Sequence, residues 1–255
     1  MALKYRYDAD LEFLKELDSR DLDQLVELLI YDPKDKEKRI SEELSECEEF
    51  KKYYPQHNRY WDKIAAELQK YGGNTFANLL RGGVGVVYRE ILMDVCDKLK
   101  VNYNKYSSTE MIEENLLMKI LKDALEEMSE EERKELLESM GVSGIGVTPE
   151  ALFGLFQAIF RAGGFKSYQL TVIIANAVLK ALIGRGLSFA GNAALTRTMA
   201  ILTGPIGWAV TALWTAIDIA GPAYRVTIPA VIEISYLRKK HKYAEFDNLA
   251  QEVKL

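Results

Sequence analysis

Residues 84–101 read VGVVYREILMDVCDKLKV. Val84, Tyr88, Ile91, Val95 and Leu99 recur at intervals of three and four. That spacing gathers side chains on one face of an α-helix, and a strand, with its period of two, does not reproduce it. Asp94 and Lys98 stand four residues apart beside that face, an i,i+4 pair of opposite charge. Cys96 falls next to the apolar face and reads as a packed thiol. The glycines just ahead, GGVGVVYR at 82–89, resemble a phosphate-binding loop only in outline. Tyr88 occupies the place of the third glycine of GxGxxG, no GK[ST] follows and no strand precedes. The segment reads as a turn feeding a helix, with an anion held at the helix N-terminus by Arg81 and Arg89 as the lesser alternative.

Working outward, nearly every periodic segment is helical. In DADLEFLKEL (8–17) Leu11, Leu14 and Leu17 keep helical spacing. SRDLDQLVELLI (19–30) places Ser19 as N-cap, with Leu22, Val26 and Leu29 on one face. DPKDKEKR (32–39) is a polar connection. HNRYWDKIAAELQKYGG (57–73) carries Tyr60, Ile64, Leu68 and Tyr71 in one stripe, and Gly72 suits the C′ position. NTFANLLRGG (74–83) reads as a short helix or turn. Ser107 with Glu110, and Ser129 with Glu132, spell two capping boxes, the second helix stopping at Gly141. No alternating strand pattern and no internal repeat stands out, so the expected class is all-α.

Charge divides the chain. Residues 1–150 carry 22 basic and 33 acidic side chains, whereas 151–237 carry 6 basic and 2 acidic. The uncharged linker GVSGIGV (141–147) lies where the composition changes. The expected domains are therefore an acidic, amphipathic helical half over 1–146 and an apolar, Gly/Ala-rich helical half over 147–255 with a basic tail. The second half opens with Thr148 as N-cap and Pro149 at the first helical position. Leu152, Phe156, Ile159 and Phe160 form its first apolar face, and LTVIIANAVLKALI (170–183) is apolar on nearly all sides.

Residues 198–217, TMAILTGPIGWAVTALWTAI, contain no formal charge. A bilayer span takes about 20 apolar residues. Gly204-Pro205 and Gly221-Pro222 break this run and leave a helix of about 16 residues, roughly 24 Å long. That is short for an untilted span and favours a buried core helix over a hairpin that inserts reversibly. Trp208 and Trp214 read as core filling or as interfacial anchors. Asp218 is the only acid between residues 151 and 232, and Arg225 lies seven residues on, which favours an ion pair or a cap on the next helix over a proton-sensitive switch for insertion.

Most enzyme chemistry lacks its residues. The only histidines, His57 and His241, have no partner at good ligand spacing, and no cofactor or metal site is expected. Cys47 and Cys96 form no CxxC and imply no disulfide framework. The net charge of -5 argues against a nucleic-acid partner. RKKHK (238–242) follows apolar helices, where it either meets an anionic membrane surface or RNA, or favourably ends a helix. The charged start, MALKYRYDADLEFLKELDSRD, has no signal-peptide h-region, so the expected setting is the cytoplasm or the inner face of a membrane.

Three stretches carry a resemblance. DADLEFLKELDSRDLDQLVELLIYD looks like a small N-terminal domain of unknown function (taken as 1–32), WDKIAAELQKYGGNTFANLLRGGVGVVYREILMDVCDKLKV matches a recurring middle pattern, and GPAYRVTIPAVIEISYLRKK looks like a C-terminal signature. Together they resemble the YaaW-type family of uncharacterised bacterial proteins. The middle region, over 41–146, is also similar to the ubiquinol–cytochrome c chaperone domain. That similarity implies an all-helical protein-binding module. Tyr88, Arg89, Asp94, Lys98, Tyr224 and Arg225 match the family's recurring patterns, with no catalytic residue to carry over. The expectation is a non-enzymatic protein-interaction or chaperone-like assembly factor with a protein client, peripheral to the membrane in one version. The alternative is a membrane-active effector that inserts 167–183 with 205–220 as a hairpin.

Overall fold

The computed structural model describes residues 3–32, 35–73, 85–184, 186–187 and 223–252, with side chains to residue 244. Among these residues there are nine α-helices, a few 3₁₀ turns and a single antiparallel bridge, Tyr31 to Lys38, so the class is all-α. The helices are α1 (Ser19–Ile30), α2 (Glu48–Tyr53), α3 (Trp61–Gly73), α4 (Tyr88–Lys98), α5 (Thr109–Glu127), α6 (Glu130–Ser139), α7 (Pro149–Ala162), α8 (Gly164–Ile183) and α9 (Tyr224–Glu252). The chain forms two compact units. One joins Met1–Ile112 to Ala216–Ile234, the other Glu113–Thr215 to Ser235–Leu255.

In the first unit α1 buries Leu22, Leu25, Val26, Leu29 and Ile30 and packs on α3 and on the 3₁₀ turn His57–Tyr60. Its N-cap is Asp18 rather than Ser19. Ser19 turns outward from that role: its hydroxyl donates to Asn58 Oδ1 (2.8 Å) and accepts the Asn58 N–H (3.3 Å). The DADLEFLKEL segment makes only a 3₁₀ turn over Glu12–Glu16, yet Leu11, Leu14 and Leu17 are buried as their spacing implied. The 32–39 connection doubles back on α1, where the Arg39 N–H donates to the Ile30 carbonyl at 2.8 Å.

Gly72 is the penultimate residue of α3 rather than the residue just beyond its end. It is buried inside α3, where a Cβ would lie 2.4 Å from Ile91 Cγ1 and 2.9 Å from Val86 Cγ2. Its missing side chain lets α3 and α4 approach, a packing reason rather than a capping one. Tyr88, Ile91 and Val95 on α4 are buried, and Leu99 follows them inward, as the 84–101 pattern requires. The cap of α5 shifts by one residue: the Met111 N–H donates to Ser108 Oγ, while the Ser107 carbonyl accepts from Arg89.

In the second unit the Ser129–Glu132 capping box is formed in full, and Gly141 follows α6 at φ 64°. The linker beyond it is tied down. Arg133 Nε donates to the Val147 carbonyl at 2.6 Å, and its Nη1 donates to the carbonyls of Leu125 and Met128, covering the end of α5. Thr148 caps α7 through the Ala151 N–H, with Pro149 in the first turn. Leu152, Phe156 and Phe160 are buried, and Ile159 is half-buried. Every side chain of α8 from Ser167 to Leu179 is buried. The 74–83 stretch and the 198–217 run, with Trp208, Trp214 and Asp218, lie outside the described residues.

Candidate functional site on helix α4

Tyr88 begins α4, and its backbone N–H donates to Asp8 Oδ2 at 2.5 Å. Asp8 also accepts from the Asp10 N–H (3.1 Å) and from Gln69 Nε2 (3.5 Å). Burial raises the Asp8 carboxyl above its ordinary range, and the hydrogen bonds from Tyr88 and Asp10 oppose that rise. The described residues thus place the protein's own carboxyl at this helix N-terminus; Arg81, half of the alternative anion reading, lies outside them. Gln69 completes the joint like a strand partner: the Arg6 N–H donates to its Oε1 (3.0 Å), and its Nε2 donates to the Arg6 carbonyl (2.8 Å).

Arg89 clasps protein rather than ligand. It donates to Thr109 Oγ1 (3.0 Å) and to the carbonyls of Lys105 (2.8 Å) and Ser107, and the Thr109 hydroxyl donates to Asp10 Oδ2 (2.8 Å). These bonds fix the loop that presents Tyr106, which is 83% exposed. The Tyr88 side chain is buried, its hydroxyl 3.5 Å from the Val231 carbonyl of α9.

One turn further along α4 the side chains form a half-exposed polar face. The Tyr224 hydroxyl, at the start of α9, donates to Asp94, and the Lys98 ammonium lies 5.6 Å from the centre of the Tyr224 ring. Beside them the Tyr103 hydroxyl donates to Asp97 Oδ1 at 2.8 Å. Asp94 and Lys98, the residues of the expected i,i+4 pair, therefore both meet a tyrosine that is distant in sequence. Burial raises the Asp94 carboxyl; the Tyr224 hydrogen bond and Lys98 oppose it, and Asp97 adds to it. Burial, then the neighbouring aspartates, pushes the Tyr224 and Tyr103 phenols up to about 12. Phenols held protonated are hydrogen-bond donors and stacking surfaces rather than nucleophiles.

Of the nine residues singled out by sequence, Tyr88, Arg89, Asp94, Lys98 and Tyr224 gather in the first unit; Arg225 follows Tyr224, half-buried. Trp208, Trp214 and Asp218 lie outside the described residues. The sequence reading missed a relay that runs from the exposed Asp23 to the buried His57 and Tyr60. His57 Nε2 donates to Asp23 Oδ1 at 2.8 Å, and its Nδ1 accepts from the fully buried Tyr60 hydroxyl. Burial lowers the His57 pKa, and Asp23 opposes that fall. The Asp23 bond and the Tyr60 bond together define the neutral Nε2–H tautomer. The only sequence signal was a histidine three residues ahead of a core tyrosine, too little to name a partner on α1. Among the described residues no three His, Cys, Asp or Glu side chains are grouped to hold a metal ion.

Residues 56–232 match the Ubiquinol-cytochrome C chaperone family, and residues 5–40 match a Domain of unknown function (DUF3944). A UPF0174 protein of Helicobacter pylori strain J99 is 52% identical over 252 residues, covering 98% of this chain and 99% of that protein. The chain belongs to the UPF0174 family. Another UPF0174 relative from the same strain is 46% identical over 208 residues, 80% of this chain and 99% of its own length. The UPF0174 protein YaaW of Escherichia coli K12 is 36% identical over 245 residues, 94% of this chain and 97% of its own. The chaperone-family match makes the chain a member of that family too, and it runs on to residue 232, past the middle region that suggested it. No solved structure matches this UPF0174 chain.

Proposed function

We propose that the chain is a chaperone-like assembly factor that binds a protein client without catalysing a reaction on it. The match of residues 56–232 to the Ubiquinol-cytochrome C chaperone family carries this reading. The α4 face supports it. Two acids, one ammonium and two protonated phenols on a half-exposed surface suit recognition of a polar, aromatic-tolerant segment. Tyr106 extends that surface from a loop that Arg89 holds in place. In this reading the client face is built mainly on the acidic half, 1–146, with Tyr224 contributed from the apolar half, 147–255. The setting is the cytoplasm, with the inner face of the membrane as the variant.

The membrane-effector reading has less behind it. Along Ser167–Leu179 α8 is covered. Arg238 and Lys239 of the basic tail are engaged with Glu113 and Glu114 (3.0 and 2.6 Å). No helix among the described residues is long and apolar enough to cross a membrane.

The test is photo-crosslinking in living cells, with a photoreactive residue at position 106 or 98 and, as control, at exposed Glu130. One discrete crosslinked protein, shared by positions 106 and 98 and absent at 130, is expected. Identical background at all three positions would overturn it.

A further inference from the structure

Glu67 sits in the middle of α3 with none of its surface exposed. Both of its carboxyl oxygens lie 3.2 Å from the Glu43 backbone N–H, which donates to them. The nearest cation is Lys70, one turn on, at 3.7 Å. Lys70 is committed elsewhere, to Glu43 Oε1 at 3.0 Å and to the Ser41 carbonyl. Two further carboxylates, Glu42 and Glu43, face the same spot from the 41–46 segment. Lys38, the cation of that segment, pairs with Glu42 (2.9 Å) and Glu46 (2.6 Å), and Arg39 pairs with Asp32 (2.9 Å). Tyr71 on α3 completes the surroundings, its hydroxyl donating to the Leu29 carbonyl of α1. Three glutamates therefore converge where the compensating cations are mostly shared out; the side chains of Glu42 and Glu67 are both fully enclosed, and Glu42 has Lys38 at 2.9 Å where Glu67 has Lys70 only at 3.7 Å.

An enclosed carboxylate beside two like charges is stable as the neutral acid and costly as the anion. The segment that encloses it is short. Leu44, fully buried, anchors the 3₁₀ turn Leu44–Glu46 on α1 and α3, while Ile40 is fully exposed four residues before it. We propose that Glu67 is a proton-operated latch: as the neutral acid it holds the 41–46 segment on α3, and on ionising it releases the segment, uncovering Leu44 and the faces of α1 and α3 beneath it.

Burial, opposed by Lys70 and the Glu43 N–H, pushes the Glu67 carboxyl up to about 7 from its ordinary 4.5. A carboxyl raised in the closed state stabilises that state fully below its ordinary value, and the advantage is lost as pH rises toward the raised one. Between pH 6 and pH 8 the opening constant of the segment then rises about tenfold.

Hydrogen exchange of the full chain measures this at the Glu43 and Ser45 amides, which donate to Glu67 and to Glu42 respectively. After division by the intrinsic exchange rate, opening in the wild type is expected to be about tenfold greater at pH 8 than at pH 6. In Glu67→Gln, which keeps an acceptor and cannot ionise, the two pH values should agree. Equal wild-type opening at both pH values, or a tenfold rise that survives in Glu67→Gln, would overturn the latch. A carbon-13 titration of the Glu67 carboxyl in the wild type needs no variant. A midpoint near 7 supports the latch, and one near 4.5 refutes it.

Discussion

At the scale of single residues, what settled each position was a partner far away in sequence. Asp8 lies 80 residues from the N–H it caps. Tyr224 meets Asp94 and Lys98 from the far end of the chain. Apolar periodicity on α4 was legible because a helix face is a local property; the polar contacts were not, because they join faces of separate elements. Gly72 shows the same limit. Its place after a helical stripe suggested a stop, but its role is set by Ile91 and Val86 across the interface. Gly72→Ala should cost about 1–3 kcal/mol through overpacking, read as a lower urea midpoint. Glu67→Gln should do the opposite and in a pH-dependent way. Wild-type stability from this group is lost as pH rises from 4.5 through about 7. The variant should therefore gain up to about 3 kcal/mol over wild type at pH 8 and almost nothing at pH 4.5, measured by urea unfolding across that range.

At the scale of elements, the basic cluster that closes the sequence pattern proves to be partly internal. Arg238 on α9 donates to both oxygens of Glu113 on α5 (3.2 and 3.0 Å), where the two side chains are 11% and 3% exposed. Tyr243, further along α9, stacks with Tyr168 at 4.8 Å between ring centres, tying α9 to α8. A run of five basic residues reads as a free surface until its acids are located, and those acids lie 125 residues upstream. Arg238→Ala should destabilise the second unit by about 3–5 kcal/mol, because it strands a buried carboxylate. Replacing Arg238 and Glu113 together by leucine should cost far less, and a double-mutant cycle in urea reads the difference. With α8 covered along Ser167–Leu179, the chain should also stay with the protein fraction when floated with anionic vesicles at neutral pH. Recovery at the vesicle layer would favour the inserting hairpin instead.

At the scale of the whole molecule, fold class and family were both legible: capping boxes, Thr148-Pro149 and helical stripes are short-range signals, and the family resemblance rested on long contiguous stretches. The arrangement into units was not. The composition change at 141–147 marks where the acidic excess ends, whereas the compact units are built from segments that return, 216–234 beside 1–112 and 235–255 beside 113–215. Discontinuous packing leaves no mark in local composition. The central claim is that the α4 face binds a protein client. It is tested most directly by the in-cell crosslink from position 106, compared between the wild type and Tyr224→Phe. Removing the hydroxyl that Asp94 accepts takes away one hydrogen bond, about 1 kcal/mol, while leaving the ring under Lys98. A discrete crosslinked client is expected in the wild type and roughly fivefold less of it in the variant at equal protein level. A client yield at position 106 no higher than at position 130, or one that Tyr224→Phe leaves unchanged, would contradict it.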